Sequence, residues 1–222
     1  MATATISPPV NIHASPGVVF HGVTWADYEA MLRIVGNRPI RVTYDQGEME
    51  LMSPLWRHGS APFLMGSVIL ILSEELGIPF EAADPVTLRR ADLDRGAEPD
   101  KLFYFRENGA KIRGKRSIDL TIDPPPDLVI EADLTSSSIP KLPIFAALGI
   151  PEVWRLDEDE LQFLHLQVDG SYLPSDHSLA FPMLPRADVA RLLEEAEVMD
   201  KMAWVRRFRA YVRANFLPAD PA

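Results

Sequence analysis

The stretch Pro124-Pro-Pro-Asp-Leu-Val-Ile-Glu-Ala-Asp133 constrains the fold of this chain more than any other. It has the apolar run of a buried strand, yet it carries three carboxylates. Successive strand side chains alternate between faces, so Asp127, Val129, Glu131 and Asp133 share one side. Leu128, Ile130 and Ala132 take the other. An ionised carboxylate inside an apolar strand is costly unless it is paired or coordinates a metal. Glu131 therefore needs a neutralising partner. A metal ion and a lysine both satisfy that need.

The remaining bounds are broad. The chain has 222 residues, enough for a full hydrophobic core, and no cysteine. Disulfides, thiolate zinc sites and cysteine nucleophiles are excluded together. No apolar run reaches the length of a bilayer span. The first residues lack the basic and apolar regions of a signal peptide. A cytoplasmic protein without membrane contact is expected. The net charge of −10 argues against coating nucleic acid through a broad basic surface, although a local basic groove remains compatible.

Residues 1–20, rich in Pro, Thr and Ser, read as a flexible leader, and 21–217 as one domain. Thr24-Trp-Ala-Asp27 predicts a capping box opening a helix that ends near Gly36. Ile40–Tyr44 and Glu48–Met52 flank Asp45-Gln-Gly47 as a hairpin. Ser60–Leu76 is a helix with apolar residues on most sides, which predicts deep burial. Strands are expected over Phe80–Leu88, Asp100–Arg106 and Asp127–Asp133. A charged connector (Arg89–Gly96) and a basic loop (Lys111–Arg116) lie between them. Pro140–Leu148 is a short helix. Glu152–Leu156 and Leu161–Gln167 are further strands, and Arg186–Glu197 and Met199–Phe216 are terminal helices. The order helix, three strands, helix, strand predicts an α/β (α+β) fold with one mixed central sheet flanked by helices. The Pro140–Leu148 helix serves as a crossover between parallel strands.

Spacing sorts the candidate site residues. Asp127 lies about 13 Å along the strand from Glu131, too far to share one ion, whereas Asp133 lies about 6.6 Å away. Adjacent strands are about 4.8 Å apart, which makes Asp100, at the start of the preceding strand, the better partner. An Asp–Glu pair of oxygens suits Mg²⁺ or Mn²⁺. Lys141 stands in the first turn of a helix, where the dipole disfavours a cation. Contact with Glu131 would account for it, and so would simple exposure to solvent. His58, before the long helix, is suited to orient a water, bind a phosphate or carry a proton.

Several ordered motifs together resemble the Uma2 family, a bacterial group related to restriction endonucleases. They are Gly96-Ala-Glu-Pro-Asp-Lys-Leu-Phe-Tyr-Phe105, Ile118-Asp-Leu, Pro124–Glu131, Thr135-Ser-Ser-Ser138, Lys141–Gly149 and Pro151-Glu-Val-Trp-Arg155, with Glu50–Pro54 and His58 upstream. The resemblance covers roughly residues 20–215. It implies a PD-(D/E)XK nuclease core in the order α-β-β-β-α-β. It also implies Asp100 and Glu131 as ligands of Mg²⁺ or Mn²⁺, Lys141 as the catalytic lysine, and His58 at a recurring family position. The position two after Glu131, lysine in the general nuclease pattern, is Asp133 here, a further candidate ligand. The implied function is metal-dependent hydrolysis of phosphodiester bonds in DNA. A homodimer would supply one site per strand. The alternative is a catalytically inactive module with the same fold that binds nucleic acid or a protein partner.

Two other signals bear on function. The Lys111–Arg116 loop is a candidate for backbone phosphate contact. The aromatic residues of the last helix (Trp204, Phe208, Tyr211) recur at spacings of three and four, which predicts a docked amphipathic helix rather than a nucleic-acid face.

Overall fold

The computed structural model describes residues 17–53, 60–83, 86–133, 137–157 and 160–218. Helix α1 (Trp25–Val35) opens at the predicted capping box. The Asp27 amide donates to the Thr24 hydroxyl, and the Thr24 amide donates to the Asp27 carboxylate. Strands β1 (Val18–His21), β2 (Arg41–Asp45) and β3 (Glu48–Met52) surround it in sequence. The β2–β3 hairpin turns at Gln46 and Gly47, whose φ values of 49° and 97° give the twist that paired strands favour. Strand β1 recruits Val18, Val19 and Phe20 from the segment read as a leader and pairs them with β3.

The chain continues through α2 (Ser60–Leu76), β4 (Phe80–Ala83), β5 (Leu88–Arg90), a 3-10 turn (Ala91–Leu93), β6 (Arg95–Ala97), β7 (Lys101–Phe105) and α3 (Arg106–Ile112). Then come β8 (Leu128–Asp133), α4 (Lys141–Ala147), β9 (Glu152–Asp157), β10 (Glu160–Leu166), β11 (Tyr172–Ser175), α5 (Arg186–Val198) and α6 (Lys201–Phe216). The fold is mixed α+β, with two sheets and six α-helices among the described residues. One sheet has the order β1-β3-β2-β6-β5 and the other β11-β10-β9-β8-β7-β4. This corrects the expectation of one central sheet. The Phe80–Leu88 run divides between the two sheets, as β4 in one and β5 in the other. Strands β8 and β9 pair in parallel across α4, and β7 pairs antiparallel with β8.

Two apolar layers sandwich the six-stranded sheet. Leu128 and Ile130 of β8 join Trp154 and Phe163 against α2, α5 and α6. Val129, on the opposite face, joins Val153 against Ile144 and Phe145 of α4. The predicted alternation along β8 thus separates the two cores. Helix α6 docks through Trp204, Phe208 and Val212, and its Arg209 and Arg213 pair with Glu74 and Glu75 of α2. Helix α2 is less enclosed than predicted, because Phe63 and Leu70 face outward. The third core lies between α1 and the five-stranded sheet, where Tyr28 stacks on Tyr44 with ring centroids 4.8 Å apart.

Gly96 in β6 is where that third core admits no side chain: a Cβ there would stand 2.8 Å from Cζ of the buried Tyr28 ring. The Tyr28 hydroxyl has no hydrogen-bond partner among the described residues. Gly96→Ala is expected to destabilise the protein by about 1–3 kcal/mol through overpacking. Tyr28→Phe in the same chain should return part of that loss. Urea denaturation of the two single variants and the double variant measures both.

Candidate active site

Glu131 lies on β8, which has β7 on one side and β9 on the other. The β7–β8 register places Lys101 opposite Ile130, so one further step sets Asp100 beside Glu131. Opposed residues of an antiparallel pair share a face. Both carboxylates therefore turn towards α4. Their side chains are each 4% exposed.

Helix α4 starts at Lys141, and its ammonium donates to Glu131 Oε2 at 2.8 Å and to the Glu98 carbonyl at 3.3 Å. Of the two partners the sequence allows for Glu131, the structure supplies the lysine. The ion pair also accounts for a cation in a first helical turn. Asp100 has partners on both oxygens. Its Oδ2 accepts the Ala132 amide at 2.8 Å, and its Oδ1 accepts Nη1 of Arg41. Arg41 was missed in the sequence. It belongs to the hairpin, 59 residues from Asp100, and no local motif links the two.

Burial pushes the Glu131 carboxyl up to about 7. The Lys141 ammonium opposes that rise, the neighbouring Asp100 charge adds to it, and Arg41 opposes it more weakly. The Oε1 atom of Glu131 is buried without a hydrogen-bond partner. Two other buried carboxylates set the contrast. Glu152 accepts from Trp154 Nε1 (2.9 Å) and the amides of Leu179 (2.9 Å) and Ala180 (2.8 Å), with the Ser178 hydroxyl at 3.2 Å. Glu50, on β3, accepts from the Ser137 hydroxyl and the Ser138 amide, tying the hairpin to the segment before α4. Both oxygens of each are used, as an anchoring carboxylate requires. Glu131 alone of the three keeps an unused acceptor.

Among the described residues no group of three or more His, Asp or Glu side chains is placed to hold a metal ion. Two carboxylates suffice for Mg²⁺, which commonly keeps several waters. The orphaned Glu131 Oε1 beside Asp100 fits that requirement. Of the predicted site residues, Asp100, Glu131 and Lys141 are brought together. His58 lies outside the described residues. The Asp133 backbone pairs opposite Asp157 at the end of β8, and its side chain is outside the described part. Asp127 does not join the site. It accepts the Phe105 amide and Asn108 Nδ2, each at 2.7 Å, and so holds the β7–α3 junction.

The basic loop is shorter than predicted, since Lys111 and Ile112 end α3. Its Gly114–Arg116 portion, with Ser117 and Ile118 after it, lines a cavity of about 640 Å³ together with Arg33 and Arg89. Arg33 and Arg116 are exposed and have no carboxylate partner among the described residues. Thr87, on the wall of this groove, donates to the Glu98 carboxylate at 2.7 Å. Glu98 is the residue whose carbonyl accepts Lys141. Glu98 therefore links the groove wall to Lys141.

The raised Glu131 carboxyl has a definite effect on stability. Between the ordinary carboxylate range and about 7, the folded protein binds a proton that the unfolded chain has lost. Stability from this group is full at low pH and is lost as pH rises through about 7. Glu131→Gln should remove that slope. Glu152→Ala should instead destabilise at every pH, by about 1–3 kcal/mol or more, because it strands buried donors. Chemical denaturation of the metal-free protein from pH 5 to 8 tests both.

The family description "Putative restriction endonuclease" belongs to Uma2, whose sequence profile matches residues 25–196. No curated protein matches the chain. The matched span holds Arg41, Asp100, Glu131 and Lys141, and it runs from the first residue of α1 almost to the end of α5. On the strength of that match over most of its length, the chain belongs to the Uma2 family.

Proposed function

We propose that the protein is a metal-dependent endonuclease that hydrolyses phosphodiester bonds in DNA. The observation that carries this reading is Glu131, buried beside Asp100 with Lys141 on one oxygen and nothing on the other. With β5, β6 and α3 taken as insertions, the order α2-β4-β7-β8-α4-β9 supports it, since it follows the helix, three strands, helix, strand pattern of the nuclease core. Asp100 and Glu131 would hold Mg²⁺ or Mn²⁺. The bound ion would polarise the scissile phosphate and acidify a water.

The chain's own residues do the rest. Glu131 presents Oε1, and its Oε2 stays tied to Lys141. The Ala132 amide fixes Asp100 from the strand it faces. Lys141 is held by the Glu98 carbonyl and is only 13% exposed, so its ammonium acts at low dielectric. There it stabilises negative charge building on the phosphate, or orients the attacking water. Water adds to phosphorus, the P–O bond to the leaving strand end breaks, and the proton given up by the water to solvent is balanced by one that the leaving oxygen takes from solvent. The Arg33–Arg116 groove receives the nucleic-acid backbone. A homodimer in the cytoplasm would bring two such sites to the two strands. No described helix is long and apolar enough to cross a membrane.

One observation favours a second reading, a non-catalytic binding module. The pairs Arg41–Asp100 and Lys141–Glu131 balance the buried charges by themselves. Nicking of supercoiled plasmid with Mg²⁺ or Mn²⁺ decides between the two. The wild-type protein should nick. Asp100→Ala and Glu131→Ala should abolish nicking, and Lys141→Ala should slow it by about 10²–10³-fold. Absence of nicking by the wild type with either ion would favour the module. Reversing Arg33 and Arg116 to Glu should weaken DNA binding and make its salt dependence shallower by about 2 in log–log slope. An unchanged slope, measured by fluorescence anisotropy, would remove the groove from the interface.

A further inference from the structure

Asp100 already has a hydrogen-bond partner on each of its two oxygens, and one of them is a cation. Its Oδ2 is held by the Ala132 amide, part of the β8 backbone, and its Oδ1 by Arg41. We propose that Arg41 and the divalent ion are alternative occupants of Asp100, and that loading the site frees the Arg41 guanidinium for the substrate phosphate. This rests on the metal-site reading of Asp100 and Glu131.

Three observations single out Arg41 as the group that leaves. It is the most exposed of the four charged side chains, at 28% against 13% for Lys141 and 4% for each acid. Asp100 is its only hydrogen-bond acceptor among the described residues, whereas Lys141 has a second acceptor in the Glu98 carbonyl. It also comes from the other sheet, at the first residue of β2, so its departure breaks no pairing within the β7–β8 ladder. Two cations on one carboxylate oxygen repel strongly at the low dielectric around a buried acid. The ion and the guanidinium therefore exclude each other. The displaced side chain moves towards solvent, from which a phosphodiester must arrive. A planar guanidinium matches phosphate oxygens in a bidentate way that lysine does not reproduce. In the metal-free protein the same residue compensates Asp100, so the site folds with its charges balanced.

Calorimetric titration of the full chain with Mn²⁺ alone tests the exchange. Arg41→Ala should bind Mn²⁺ about tenfold more tightly than the wild type, since it removes a competitor. Arg41→Gln keeps a donor for Asp100 without the charge, and should also bind more tightly. It serves where the alanine variant folds poorly. Arg41→Lys should stay close to the wild type. Mn²⁺ should raise the melting temperature of the neutral variants more than that of the wild type. With saturating Mn²⁺, Arg41→Ala should raise KM for a DNA duplex more than it lowers kcat, and Arg41→Lys should recover only part. Equal or weaker Mn²⁺ binding by both neutral variants, with Glu131→Ala abolishing it, would overturn the exchange and leave the metal site standing. A wild type that takes up no Mn²⁺ would overturn the metal reading itself, and the exchange with it.

Discussion

Burying Glu131 in the six-stranded sheet is the constraint from which the rest of the site follows. A carboxylate there loses its hydration and requires a cation within reach. Lys141 meets that requirement only because α4 begins where the chain returns over the end of β8. The Glu98 carbonyl holds the ammonium from the opposite direction. Asp100 then enters by strand register and adds a second negative charge, which the Lys141 pair cannot also neutralise. That charge is met from the other sheet, by Arg41. One buried acid thus dictates a lysine, a helix start and an inter-sheet contact. The removal of one partner would leave an uncompensated charge, so stability and chemistry rest on the same side chains.

The site is assembled at the seam between two sheets. Arg41 and Glu50 both reach from the hairpin to the β7, β8 and α4 end of the larger sheet. Glu50 does so with both oxygens saturated, which makes it a fastener. Arg41 does so with a partly exposed side chain and one acceptor, which makes it a movable contact. The difference lies in partner count and exposure rather than in residue type. The same reasoning separates Glu152, with four donors around it, from Glu131, with one.

The sequence exposed those parts of the site that follow from local geometry. Period-two alternation placed Glu131 and Val129 on one face and Leu128 and Ile130 on the other, as the two cores show. Strand rise set Asp127 apart, and the structure finds it bonded to Phe105 and Asn108 instead. Adjacent-strand spacing selected Asp100. Position alone left Lys141 undecided, because a lysine that opposes the helix dipole has more than one explanation. Arg41 was beyond reach, since its contact spans 59 residues and two sheets. Some elements were hidden by their own composition. No helix was expected between Arg106 and Lys111, where Glu107-Asn-Gly109 lies in α3, a helix that opens at Arg106 with a φ of 48°. Strand β11 carries Pro174, which an edge strand tolerates and a sequence pattern penalises. The second sheet was missed because β5 and β6 are three residues each, too short for any periodicity to register.

Charge balance ties the site to its surroundings. With Glu131 ionised, Asp100, Glu131, Arg41 and Lys141 sum to zero, in a chain whose net charge is −10. On the proposed function, a phosphodiester approaching the metal-free protein would meet two balanced ion pairs on an acidic background. A divalent ion held by the two carboxylates would change the sum to two positive charges. It would do so at the position where burial keeps screening weak. The attraction for a polyanion would then rise at the loaded site. An acidic protein that works as proposed would in this way bind nucleic acid where hydrolysis is possible and repel it elsewhere. A broad basic surface would hold DNA equally well whether or not the site could act on it.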